Sequence, residues 1–296
     1  MPRLNEKTGL LFGLANMLLY GIFPIVTHAL ATRIDPFLFA GLASLFGALP
    51  LYLLLKRAAH HKEIFAAALI NRLLAIALLS AVATFLLFKG TQLTSGINTG
   101  LLVQIEPIYA LFLAAIFLQE KVGTRHKIAT IIMVIGAVAV VFRGDYHVNA
   151  GDLLILAAPL FFQGSHVISA KLLPQVSTAT VIPCARLLYG GVVMSLVALL
   201  INPQSLSVLS DGSVWLAVIL YGFIFRALDL YLWYQALKRL PLSVLSAMLP
   251  LAVAISFSGS VLFLGEQPSA EQFVGLALIL SGLTLLASCH RVGADA

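Results

Sequence analysis

Ten runs of about 20 mostly apolar residues, parted by short polar breaks, leave this chain few ways to fold. The runs extend over 8–31, 36–55, 71–90, 95–118, 125–142, 151–172, 178–201, 213–236, 241–264 and 270–289. A helix of that length spans the hydrocarbon core of a bilayer, and in lipid only helices or closed barrels satisfy their own backbone groups. Barrel strands alternate apolar and polar residues over about 10 positions, whereas these runs are continuous. Composition agrees: apolar residues are 60% of the chain and charged ones 10%, against roughly 45–50% and 25% in soluble domains. So few charges cannot coat a 296-residue globule. The expected fold class is an all-α integral membrane protein with ten transmembrane helices. Cys184 and Cys289 lie within or at the end of apolar runs, which suggests neither a disulfide framework nor a metal site.

The formal charge of +6 is spread through short loops without interleaved aromatics, so it signals topology and not nucleic acid. With a cytoplasmic N-terminus, the inner side collects Arg3, Lys7, Lys56, Arg57, Lys62, Arg72, Lys121, Arg125, Lys127, Lys171, Lys238, Arg239 and Arg291. The outer side receives Arg33, Lys89 and Arg143; Arg186 and Arg226, inside apolar runs, complete the 18 basic residues. The positive-inside rule therefore places both termini in the cytoplasm. Ala29-Leu30-Ala31 imitates a signal-peptidase site, but the first apolar run is longer than an h-region of 7 to 15 residues, so it counts as the first span.

The two halves echo each other. Gly136 stands sixteen positions after Glu120, and Gly282 sixteen after Glu266, with IFLQEKV matched by LFLGEQP around the glutamates. Five spans repeat as five, over 8–142 and 151–289; because five is odd, the second copy enters the membrane in the opposite sense. Inverted repeats of this kind build alternating access around a site near the membrane middle. The run FKGTQLTSGINTGLLVQIEPIYALFLAAIFLQEKV and its counterpart WYQALKRLPLSVLSAMLPLAVAISFSGSVLFLGEQP resemble the paired signatures of the EamA family in the drug/metabolite transporter superfamily. The resemblance covers essentially the whole chain. It implies a bacterial-type inner-membrane carrier of amino acids or related metabolites, usually outward, whose cavity is lined mainly by spans 1, 3, 4, 6, 8 and 9. Pro250 stands sixteen residues before its glutamate where Pro107 stands thirteen, so the two kinks differ by about one turn. The arginine expected in the second span has no counterpart, although the seventh keeps Arg186.

A charged side chain near the bilayer centre costs about 2.5–3.5 kcal/mol on insertion scales, so each needs a reason. In the eighth run, Gly222, Arg226, Asp229 and Trp233 are spaced to share one helix face. That face holds either an internal ion pair or an arginine for an anionic group, with Trp233 flooring the site. In the fourth, Thr99, Val103, Glu106 and Ala110 share a face, and Pro107 frees the Val103 carbonyl. Glu106 there either takes a proton, a cation or a substrate ammonium, or satisfies Arg226 or Lys89 in packing. Gln163 and His166 lie three apart in the sixth run; Asn16, Tyr20, Phe23 and Thr27 form a stripe in the first. Each stripe reads as packing or as cavity lining. Lys171 and Lys89 are expected to snorkel, and Arg186 either snorkels or joins the pathway. Ser243, Ser246, Pro250, Val253, Phe257 and Ser260 form a stripe suited to close helix approach, with cavity lining second. Glu120 and Glu266, ending their helices, suit a cap or gate contact.

No phosphate loop, metal cluster, nucleophile elbow or soluble domain is visible, so no cofactor, metal or enzymatic activity is expected. The expected function is a secondary transporter of a small polar metabolite, an amino acid or relative, with proton coupling possible through Glu106. The alternatives are an importer of a nucleotide-like compound, which Arg226, Arg186 and Lys171 would suit, and a membrane channel or enzyme.

Overall fold

The computed structural model describes residues 2–117, 123–142, 149–237, 239–240, 245 and 248–292, and among these there is no strand. Its helices are α1 (Pro2–Ala31), α2 (Pro36–Arg57), α3 (Ala67–Leu93), α4 (Gly96–Val103), α5 (Glu106–Phe117), α6 (Thr124–Phe142) and α7 (Ala150–Leu172). They continue as α8 (Val181–Ile201), α9 (Gly212–Tyr221), a π-helical turn (Gly222–Leu228), α10 (Asp229–Leu237), α11 (Leu249–Leu264) and α12 (Ala270–Val292).

Polar residues at the breaks start these helices. Asp35 accepts hydrogen bonds from the amides of Phe37 and Leu38, with Pro36 opening α2; Ser95, Asn149 and Asp211 cap α4, α7 and α9 in the same manner. Gly265, at φ +67°, closes α11 in the left-handed conformation that glycine adopts without strain.

Among the described residues, nine helices are long and apolar enough to cross a membrane, which makes this a multi-pass membrane protein. Of the ninth apolar run the described helix is α11, starting at Leu249, and Ser243 and Ser246 lie outside the described residues. Two spans are also not plain α-helices. The fourth breaks at Gln104-Ile105 into α4 and α5, and the eighth passes through the π-helical turn.

Packing sorts the helices into a bundle. α3 lies along α7 and α8, α2 along α8 and the π-turn, α6 along α12, and α1 along α10 and α11. Every residue of α4 is buried, held between α11 and α7. An apolar helix without a polar face belongs at the centre of a bundle, and α4 sits there. Outward, Leu53, Leu78, Ile131, Leu200, Leu262 and Phe263 stand exposed, as suits a surface facing lipid.

Candidate functional site

The site is organised by one face of α1. Asn16, only 3% exposed, donates from Nδ2 to Asp229 Oδ1 at 2.7 Å and to the Asp229 carbonyl at 3.1 Å. One turn on, the Tyr20 hydroxyl donates to Glu106 Oε2 at 2.9 Å. Phe23 stacks on Tyr20 with ring centroids 6.0 Å apart, and the Thr27 and Tyr221 hydroxyls are bonded at 2.6 Å. The stripe of the first span thus reaches Glu106, Asp229 and the middle of the eighth span.

Glu106 sits where the fourth span breaks. Proline has no amide hydrogen, and around Pro107 the ladder shortens to bonds from Gln104 to Leu101, Ile105 to Leu102 and Ile108 to Ile105. Glu106 becomes the first residue of α5, where the helix dipole favours a carboxylate. Gln163 on α7 donates to its other oxygen, Oε1, at 2.6 Å. Its hydrogen-bond partners are therefore Tyr20 and Gln163, in place of the Arg226 or Lys89 named as examples for a packing role; Lys89 donates to Gln92 at 2.8 Å.

The eighth span corrects the expected stripe. A π-helical turn holds more residues per turn than an α-helix, so positions three apart no longer share a face across it. Arg226 and Asp229 make no ion pair within 4.0 Å; the His60–Glu63 pair, in the turn after α2, is the one found among the described residues. Asp229 goes to Asn16, while the Arg226 guanidinium lies over the Phe88 ring at 5.2 Å. Gly222 packs on α2, and Trp233 joins a separate apolar cluster of Ala236, Leu240 and Leu245 with Phe12 and Met248.

Arg186 on α8 supplies a second cation. Its Nη1 lies 3.2 Å from His166 Nε2 on α7, and its guanidinium is 5.2 Å from the centre of the Phe162 ring. Next to a guanidinium the imidazole nitrogen acts as acceptor, so His166 is neutral in this arrangement. Arg186 and Arg226 line one cavity with Ser44, Ser80 and Thr84. Asn16 and Tyr20, one turn apart on α1, bring Asp229 and Glu106 to one interior, which Arg226 joins from the same span as Asp229. Pro250, the second residue of α11, carries no polar group to this interior but opens its helix as Pro107 does α5.

A second buried network ties the start of α4. Asp152, fully buried on α7, accepts from Thr94 Oγ1 at 2.5 Å and from Asn98 Nδ2 at 2.8 and 2.9 Å; Asn98 in turn accepts from Gln272 of α12 at 2.7 Å. Glu266, just after α11, accepts from the amides of Gly96 and Ile97 at 2.6 and 2.8 Å. It caps a helix of the other half of the chain, while its sequence counterpart Glu120 lies outside the described residues. Sequence reasoning missed Ser80, Thr84, Asp152 and Asn98. Their signal was present, as polar residues inside or at the mouth of apolar runs, but such residues are common and their partners lie far along the chain.

The chain as a whole has relatives of similar sequence and fold. An uncharacterized transporter of Bacillus subtilis (strain 168), YetK, is 27% identical over 290 residues, covering 91% of this chain and 83% of that protein. A "Probable terminal-alkyne amino-acid exporter" of Streptantibioticus cattleyicolor is 22% identical, with 64% of this chain and 63% of that protein covered. A solved crystal structure of a protein 20% identical in sequence superposes with a TM-score of 0.68 over 97% of this chain and 98% of that one, a likeness of fold alone. The EamA-like transporter family matches residues 7–142 and again 149–288, nearly the whole of both halves. With helices long enough to cross a membrane and charged groups gathered inside them, the match has a physical basis, and the chain belongs to the EamA-like transporter family.

Proposed function

We propose that the protein is a secondary transporter of a small polar metabolite bearing both charges, an amino acid or close relative, moved outward across the inner membrane by alternating access. The observation that carries this reading is the gathering of Glu106, Asp229, Arg186 and Arg226 inside the bundle, where Asp229 rests on Asn16 and Glu106 on Tyr20 and Gln163, all neutral donors. An interior of that kind offers an acidic group to an ammonium and a basic one to an acid. The name borne by the Streptantibioticus relative, an amino-acid exporter, is consistent with this substrate class.

The architecture behind it is ten spans in two inverted units, 8–142 and 151–289. The packing supports that reading. α2 meets α8 and α6 meets α12, and the contact of α1 with α11 has its counterpart in that of α7 with α4 and α5. Exchanging each span for the one five places away reproduces these pairs. A rocking motion of one unit against the other then exposes the same interior alternately to each side.

Glu106 is the coupling group in this scheme. Burying a carboxylate costs about 2.5–3.5 kcal/mol on insertion scales, while each hydrogen bond to a charged group returns about 1.5–3 kcal/mol. The donors Tyr20 and Gln163 offset that cost in the ionised form. Binding a substrate ammonium or a proton tips the balance. The test is counterflow of radiolabelled amino acids in proteoliposomes, with and without an imposed pH gradient. Glu106→Gln keeps the shape of the side chain, and the expected result is flux that no longer responds to the gradient. An unchanged gradient response in this variant retires the coupling role, and the absence of counterflow in the wild type retires the amino-acid reading.

A further inference from the structure

The side-on edge of the Arg226 guanidinium, formed by Nε and Nη2, has no hydrogen-bond partner although both nitrogens are buried. These two N–H groups point the same way and match the two oxygens of a carboxylate or similar oxoanion. The Ser80 hydroxyl, on a residue 4% exposed, lines the same cavity and is likewise without a partner. Three donors are thus buried around one small space.

Neither intramembrane carboxylate serves that edge. Asp229 is turned to Asn16 by the π-helical turn, and Glu106 is held by Tyr20 and Gln163. The cavity lining contains no acidic residue, while Arg186 adds a second positive charge to its wall. Phe88 beneath the guanidinium fixes its plane. Gly47 brings α2 against the turn, since a Cβ there stands 2.5 Å from Arg226 Cβ and 2.9 Å from the Gly222 carbonyl. Fixed, buried and unsatisfied donors are the state of an anion site between ligands. The cavity is small, about 10 Å³ on the scale where a single buried water needs about 10–15 Å³, so it admits no more than the head of an anion.

We propose that Arg226 and Ser80 form an oxoanion-binding pocket that receives the carboxylate end of the transported molecule, with Arg186 as electrostatic support and Ser80 as a specificity-determining hydroxyl. This rests on the transporter reading for its substrate but stands on the pocket geometry. It makes the substrate class a small carboxylate-bearing metabolite and excludes free amines and neutral amides.

The probe is acetate, with acetamide as its uncharged isostere and chloride at matched ionic strength as control. The measurement is the thermal unfolding midpoint of the full chain in nanodiscs of zwitterionic lipid. Acetate is expected to raise the midpoint saturably in the wild type, with acetamide and chloride without effect. Arg226→Gln should abolish the rise. Ser80→Ala keeps both charges and should weaken the half-saturating concentration about threefold to tenfold, which retains a test if Arg226→Gln fails to fold. Acetate acting no better than chloride, or equally on the wild type and Ser80→Ala, overturns the pocket. The amino-acid counterflow assay separates the two readings. Counterflow with an acetate response indifferent to both variants sinks the pocket and spares the transporter, while the converse pattern spares the pocket and sinks the amino-acid substrate.

Discussion

Arg226 and Asp229 stand three residues apart with opposite charges, and on a regular helix they would pair. The π-helical turn separates them, giving one to Asn16 and leaving the other over Phe88. Exchanging them, Arg226→Asp with Asp229→Arg, conserves net charge and helix position. An ion pair would tolerate that exchange. Here it strips Asn16 of its acceptor and places a carboxylate on the Phe88 ring, so transport is expected to fall at least a hundredfold while protein remains in the membrane. Substrate flux per molecule of inserted protein measures this, and near wild-type flux would return Arg226 and Asp229 to a structural pair. The residues of this interior were visible in the sequence as polar groups within apolar runs: Asn16, Tyr20, Glu106, Gln163, His166, Arg226 and Asp229. Their partnerships were not, because Asn16 and Asp229 lie 213 residues apart and Tyr20 and Glu106 lie 86 apart.

Elements matter here through their interruptions. Gly47 and Gly222 allow α2 and the π-turn to touch backbone to backbone, and an added methyl at Gly47 meets Arg226 Cβ and the Gly222 carbonyl at distances no side chain tolerates. Gly47→Ala should therefore destabilise the protein by about 1–3 kcal/mol through overpacking and displace Arg226. Gly212→Ala, with nothing near its Cβ, is the control and should leave the unfolding midpoint unchanged. A Gly47→Ala midpoint equal to that control would show that the contact yields freely. At the start of α4, Glu266 accepts from two amides that have no helical acceptors. Glu266→Ala should cost about 0.5–2 kcal/mol, the range for losing a helix cap, and hydrogen exchange should quicken at Gly96 and Ile97. Unchanged exchange at those amides would remove Glu266 from that role. The expectation of a cap at Glu266 came from its repeated position, but the helix it caps belongs to the other half, which no local pattern reveals.

For the whole molecule, the distribution of lysine and arginine sets the prediction. Both termini should face the cytoplasm and the Glu266 turn the outside. A reporter active only outside the inner membrane, fused after Ala296, should be silent, and the same reporter inserted after Gln267 should be active. Activity at Ala296 would overturn the orientation, and the same signal at both positions would overturn the inverted arrangement of the halves. The pairing of α2 with α8 and α6 with α12 places equivalent spans of the two halves against each other.

The apolar runs, their length and their capping residues dictated a helical membrane protein, because hydrocarbon leaves the backbone no other way to satisfy its amides and carbonyls. Proline at 107 announced a break by the same local logic, since the lost amide is a property of one residue. The π-turn at Gly222–Leu228 had no comparable announcement. It coincides with the close contact of Gly47 with Gly222 and the seat of Arg226 over Phe88, and those contacts come from α2 and α3. The separation of Arg226 from Asp229, and with it a buried guanidinium edge open to a ligand, follows from packing between distant segments that no spacing along a single helix encodes.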